Sequence, residues 1–138
     1  MLKKRINLKE AIRFHGHLGP YLVLGLRAGE IALDKLKCKK YFGLRVRVFG
    51  ANQKPKACLI DGLQISTGAT YGKGNIKKLM GKRIKIEFVN CANLRKITLT
   101  LKDGLLKKLK ETKTPNASED LAKQLYRIKQ EELFNIIG

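Results

Sequence analysis

The sequence predicts an α+β fold, a small antiparallel sheet packed against helices, in one domain spanning residues 1–138. Three observations lead there. RIKIEFVN and RKITLTLKD both alternate apolar and polar residues, and the short polar link Cys91 to Leu94 joins them as an antiparallel hairpin. The stretches from Pro20 to Leu36 and from Thr114 onward carry apolar residues at helical spacing. Strands and helices do not alternate as βαβ units throughout, and no repeat, low-complexity tract or linker marks a second domain.

Taken in order, NLKEAIRF forms a short helix capped by Asn7, with Leu8, Ala11 and Ile12 on one side. Pro20 suits the first position of the next helix, where its missing donor costs nothing. Within that helix Gly25, Ala28, Gly29 and Ala32 fall at i, i+3, i+4 and i+7, a stripe of small side chains. Interior glycines cost a helix up to about 1 kcal/mol each, so the stripe predicts a close backbone approach, within the chain or across a dimer. GLRVRVFG reads as a strand with Leu44, Val46 and Val48 inward and Arg45 and Arg47 outward. ANQKP makes a turn, ACLIDGLQIS a short helix despite Gly62, and TGATYGKGN a loop. After the hairpin, Asp103 caps GLLKKLKE, and TPNASEDLAKQLYRIKQEELFNII reads as a C-terminal helix with Leu121, Leu125 and Ile128 on one face.

With 43% hydrophobic and 30% charged residues the chain is globular rather than disordered. No apolar run approaches the roughly 20 residues of a membrane span. The start, MLKKRINLKEAIRF, lacks the apolar core and cleavage site of a signal peptide. Cys38, Cys58 and Cys91 form no CxxC pair and leave an odd count, which predicts reduced thiols in a cytoplasmic setting. Charge is the outlier: 30 Lys+Arg, 22 of them lysines, face 11 Asp+Glu for a net +19. A lysine-rich surface is one half of the hyperthermophile signature, but the matching glutamate is missing. The excess therefore predicts an anionic partner: an acidic small-molecule ligand, an acidic partner protein or nucleic acid. Aromatics are sparse and no RNP-like or arginine-rich motif is present, which ranks nucleic acid last of the three.

The two histidines of RFHGHLGPYLVLG are the only ones in the chain. At i and i+2, His15 and His17 cannot share a helix face, but in a turn they point the same way, and Gly16 permits the turn. They are either metal ligands at a helix entrance or polar residues capping local backbone. Cys58 opens the predicted helix after Pro55, with Asp61 at i+3 on the same face, and a helix N-terminus lowers a thiol pKa. Its bland reading is a small buried hydrophobe, the reading that also suits Cys38 and Cys91. TGATYGKGNI fails the phosphate-loop pattern, with three residues between Gly68 and Gly72 and Gly74 after Lys73. Thr70, Lys73 and Asn75 there serve either an anion or the loop itself.

FHGHLGPYLVLGLRAGEIAL and CLIDGLQISTGATYGKGNI together resemble the family of FmdE, a component of formylmethanofuran dehydrogenase, over about Phe14 to Ile76. The resemblance implies an α+β core domain that forms an intertwined homodimer. It implies a divalent metal, commonly zinc, at His15, His17 and Cys58, with Gln64, Thr70, Lys73 and Asn75 lining the pocket. Cys58 and Asp61 are the catalytic candidates. The family name points to the methanogenic step that loads carbon dioxide onto methanofuran, in an archaeon, although that chemistry belongs to other components of the enzyme. Two departures stand out: Gly19 and Ala69 occupy positions where the family usually has cysteine. A C-terminal CxxC zinc ribbon, common in the family, is replaced by a lysine-rich helix. Two imidazoles and one thiolate remain, with an open fourth position of catalytic type. The leading expectation is a metal-binding domain accessory to one-carbon (methanofuran) metabolism. The alternative is a non-catalytic basic module for nucleic acid or an acidic partner, with a degenerate metal site. A metallohydrolase would need Asp61 as its base.

Overall fold

A computed structural model describes residues 7–138 and gives the α+β architecture. Residues 1–6, the basic start of the stretch read above for a signal peptide, lie outside the described residues. Helix α1 (Leu8–His15) is capped by Asn7, whose side chain accepts from the Lys9 amide at 2.8 Å. Gly16, at φ 109°, ends it by donating to Ile12 O at 2.6 Å, a backbone state that only glycine adopts freely. Helix α2 (Pro20–Leu36) then starts at Gly19 and Pro20, so His15 and His17 flank a tight corner between two helices.

A five-stranded sheet follows, in the order β2-β1-β3-β4-β5, built from β1 (Leu44–Phe49), β2 (Ile76–Leu79), β3 (Lys85–Asn90), β4 (Lys96–Leu101) and β5 (Phe134–Ile137). It is antiparallel except at one edge, where β2 runs parallel to β1 after the crossover through α3 (Cys58–Thr67). The antiparallel sheet expected from the sequence is thus a mixed one. IKKL was not legible as a strand: it has four residues and two adjacent lysines, with no period to read. The inward residues Val46, Val48, Ile86, Phe88 and Leu99 are buried against the helical layer.

The small-residue stripe is used inside the chain. Gly25 of α2 and Gly62 of α3 face each other so closely that a Cβ built on Gly25 would stand 2.9 Å from Gly62 Cα. Ser66, further along α3, donates to Gly25 O and Gly62 O at 3.2 and 2.9 Å, closing the contact with a satisfied hydroxyl.

Two further expectations are corrected. Asp103 lies inside α4 (Asp103–Glu111), whose cap position is Lys102 and carries no side-chain hydrogen bond. The C-terminal stretch is not one helix: α5 (Pro115–Arg127) stops, a short α6 (Gln130–Leu133) follows, and Phe134 begins β5. The cause is buried Arg27 of α2, which donates to Leu125 O at 2.7 Å and Ile128 O at 2.8 Å. It takes the end carbonyls of α5 and anchors that helix on α2. Among the described residues, no helix is long and apolar enough to cross a membrane.

Candidate metal centre

The corner after α1 and the start of α3 bring His15, His17 and Cys58 together. One ligand atom from each falls within a set no wider than 4.8 Å. The two imidazoles stand 4.6 Å apart between ring centroids, inclined by 51°. His15 Nδ1 is 2.6 Å from Asp61 Oδ2, and because a carboxylate only accepts, Nδ1 carries the proton. That leaves the Nε2 lone pair, which is buried and has no hydrogen-bond partner, in a side chain only 9% exposed. A buried polar atom without a partner is costly. A metal ion would relieve it, with Asp61 fixing the ring in the ligating tautomer. Tetrahedral bonds of about 2.1 Å to nitrogen and 2.3 Å to sulfur set ligand atoms roughly 3.5 Å apart, so modest side-chain rotation closes the set. The N₂S donors therefore fit a borderline-soft divalent ion and can hold a metal.

Cys58 does not behave as its helix position suggested. Burial pushes its thiol pKa up, the Asp61 carboxylate adds to the rise, and Lys54 and a backbone hydrogen bond only partly oppose it. The amides of Cys58, Leu59 and Ile60 already donate to Pro55 O, Lys56 O and Ala57 O in the turn entering α3. Few free donors are left there to stabilise a thiolate. A ligating thiol must lose its proton, so metal affinity is tied to this raised pKa. Apparent affinity should climb about tenfold per pH unit from neutrality past the ordinary thiol range, one proton being displaced per metal bound. Competitive chelator titrations across that range check it; a plateau beginning at or below neutral pH contradicts the raised thiol.

The other expected site residues gather in the glycine loop after α3. Gln64 Oε1 accepts from the Tyr71 amide at 3.2 Å, and Thr70 Oγ1 from the Lys73 amide at 3.1 Å. Asn75 Oδ1 accepts from the Thr70 amide at 3.0 Å, while its Nδ2 donates to Tyr41 O and Leu44 O. Their polar atoms shape the loop. Lys73 Nζ lies 5.6 Å from the Tyr41 ring centre and 5.9 Å from that of Phe42. Tyr71 in the same loop has its pKa raised by burial and by the Asp61 carboxylate. Of the two departures from the family's cysteines, Gly19 is at the centre: a Cβ there would meet His17 Cε1 at 3.3 Å. Ala69 is fully buried in the core. None of Cys38, Cys58 and Cys91 forms a disulfide, and of the two expected to be small buried hydrophobes Cys38 is half-buried and Cys91 exposed.

His17 and Cys58 open onto a cleft of about 490 Å³. Its near wall is Leu18, Gly19, Pro20, Tyr21 and Pro55, and its far wall comes from α4 and the start of α5, including Leu109, Asn116, Ser118 and Glu119. No signal in the sequence marked the far wall, because its residues are ordinary capping and helix types that acquire a role only by packing opposite α2.

The profile of a family described as "FmdE, Molybdenum formylmethanofuran dehydrogenase operon" matches residues 14–135. A protein of Archaeoglobus fulgidus named "Probable S-adenosyl-L-methionine-binding protein" is 32% identical over 103 residues, covering 64% of this chain. The chain spans about a quarter of that relative's length, 28%. With the family match running from the histidine corner into the last strand, the chain belongs to the FmdE family.

Proposed function

We propose that this FmdE-family chain is a divalent-metal-binding domain, with zinc as the favoured ion, that serves one-carbon chemistry linked to formylmethanofuran dehydrogenase. The observation that carries the metal reading is His15 Nε2, buried and unpartnered beside His17 and Cys58, on a ring pinned by Asp61. His15, His17 and Cys58 would hold the ion, which supplies Lewis acidity at one open position facing the cleft. Asp61 keeps the proton on His15 Nδ1 and is a positioning residue, already engaged at 2.6 Å. The α4–α5 wall lines the cleft opposite that position. Asp61→Asn should weaken zinc binding roughly 10- to 100-fold without unfolding the domain, the effect of removing an orienting carboxylate. Calorimetric titration of zinc into the two proteins reads it, and equal affinities would remove Asp61 from the site.

A second reading is favoured by the sheet's outer face. By register, Arg45 lies beside Val89 and Arg47 between Lys77 and Glu87, with Lys85 and Lys96 on the same face. Five cations there oppose the single carboxylate of Glu87, which Arg47 already contacts at 3.3 Å. A groove of about 780 Å³ runs over Arg45, Arg47 and Lys77. This face suits a polyanion, with single-stranded RNA as the test case. The joint change Arg45→Glu and Lys96→Glu should lower the log–log salt slope of binding by about 1.4, at roughly 0.7 per phosphate contact. An unchanged slope rules out the face.

A further inference from the structure

We propose that the cleft beside the metal centre is a binding site for a small organic monocarboxylate. Its carboxylate takes the open metal position, and its apolar body lies between the start of α2 and the α4–α5 wall. The inference rests on the metal reading above and adds the ligand class.

Charge decides the head group. A divalent ion held by two neutral imidazoles and one thiolate keeps a net positive charge. Helix α2 begins on the same wall without a side-chain cap at Gly19, and its N-terminal end favours an anion. Of the nearby charges, the Asp61 carboxylate is already engaged by His15 Nδ1 at 2.6 Å. The His15 Nε2 lone pair, buried and unpartnered, marks where the ion that receives this head would sit.

The same walls limit how much negative charge can enter. Among the described residues of this chain of net +19, no lysine or arginine lines the cleft. A polyphosphate or a nucleic acid would find no counter-charge past the metal, and Glu119 on the far wall would repel it. One negative charge at the metal end is what the site can balance. Leu18, Tyr21, Pro55 and Leu109 offer an apolar surface beyond it, and Asn116 with Ser118 offers hydrogen bonds at the far side. The volume of about 490 Å³ falls in the range of small-molecule sites.

The test uses the full chain loaded with cobalt(II), whose visible bands report its coordination, and hexanoate as the probe. Hexanoate should shift the bands saturably at roughly millimolar concentration or below, while hexan-1-ol should not. Ser118→Trp, which fills the cleft without touching a ligand, should leave the cobalt spectrum alone and weaken hexanoate roughly tenfold or more. Asn116→Phe, at an exposed helix start, serves if the tryptophan variant fails to fold. A chain that takes up no cobalt overturns the metal reading, and this inference with it. A chain that takes up cobalt but is blind to hexanoate overturns this inference alone, as does hexanoate binding that neither cleft variant weakens.

Discussion

His17→Ala and Cys58→Ala are each expected to weaken metal binding by roughly a hundred- to a thousandfold. Structural zinc sites with four ligands have apparent binding energies of about 10–16 kcal/mol, or roughly 3–4 kcal/mol per ligand, and each 1.4 kcal/mol is tenfold. Neither change should harm the fold, because His17 is exposed and Cys58 only partly buried, so the far-ultraviolet circular dichroism spectrum should not move. His15→Ala should be as damaging to the metal site and should also leave the Asp61 carboxylate without its partner at 2.6 Å. The measurement is elemental analysis of untagged protein purified without added metal, followed by chelator competition. Full metal content in both the His17 and Cys58 variants would place the ion elsewhere and discard this centre.

The largest effect on stability is expected at the helix contact behind the site. Gly25→Ala would normally gain a helix up to about 1 kcal/mol. Here the added Cβ overlaps the Leu59 carbonyl oxygen and sits 2.9 Å from both Gly62 Cα and Leu63 N. These are backbone atoms, which cannot rotate aside, so α2 and α3 must separate. We expect a loss of about 3 kcal/mol or more, roughly 10 °C in Tm for a domain of this size. Gly62→Ala should behave alike, its Cβ falling 2.7 Å from Leu26 N and 2.8 Å from Gly25 Cα. Gly104→Ala in α4 is the control, with nothing within 4 Å of its added carbon, and it should stabilise by up to about 1 kcal/mol. Thermal melts of the three variants decide it, and a neutral Gly25→Ala would mean the two helices are not in backbone contact. Because α3 carries Cys58 and α2 begins beside His17, the same separation should also weaken metal binding.

Several features were legible in the residues because the physics behind them is local. Asn7 before an apolar-periodic stretch announced α1, Pro20 announced α2, and the alternation of LRVRVF and KIEFVN announced two half-buried strands. The stripe from Gly25 to Ala32 announced a close approach, though not its partner, since a small side chain says that something comes near without naming it. Ile128 fitted the helical period of the C-terminal stretch. What ended that helix was Arg27, about a hundred residues earlier, which no window over the local sequence could include.

The same division runs through the site. By itself the sequence determined the donor types, two imidazoles and one thiol, and the loss of a cysteine at Gly19, because side-chain identity fixes which atoms can ligate. It also determined that His15 and His17 share a turn, through the glycine between them. The tertiary structure brings Cys58, which the family resemblance had already set with them, to the two imidazoles. It alone decided that Asp61 orients His15 and that the Cys58 thiol is raised in pKa. It likewise decided that Gln64, Thr70 and Asn75 hold a loop, and that a cleft lined by no cation among the described residues faces the centre. Desolvation, hydrogen-bond assignment and cavity shape depend on which groups from distant segments are packed together, and that information is absent from any stretch of the chain taken alone.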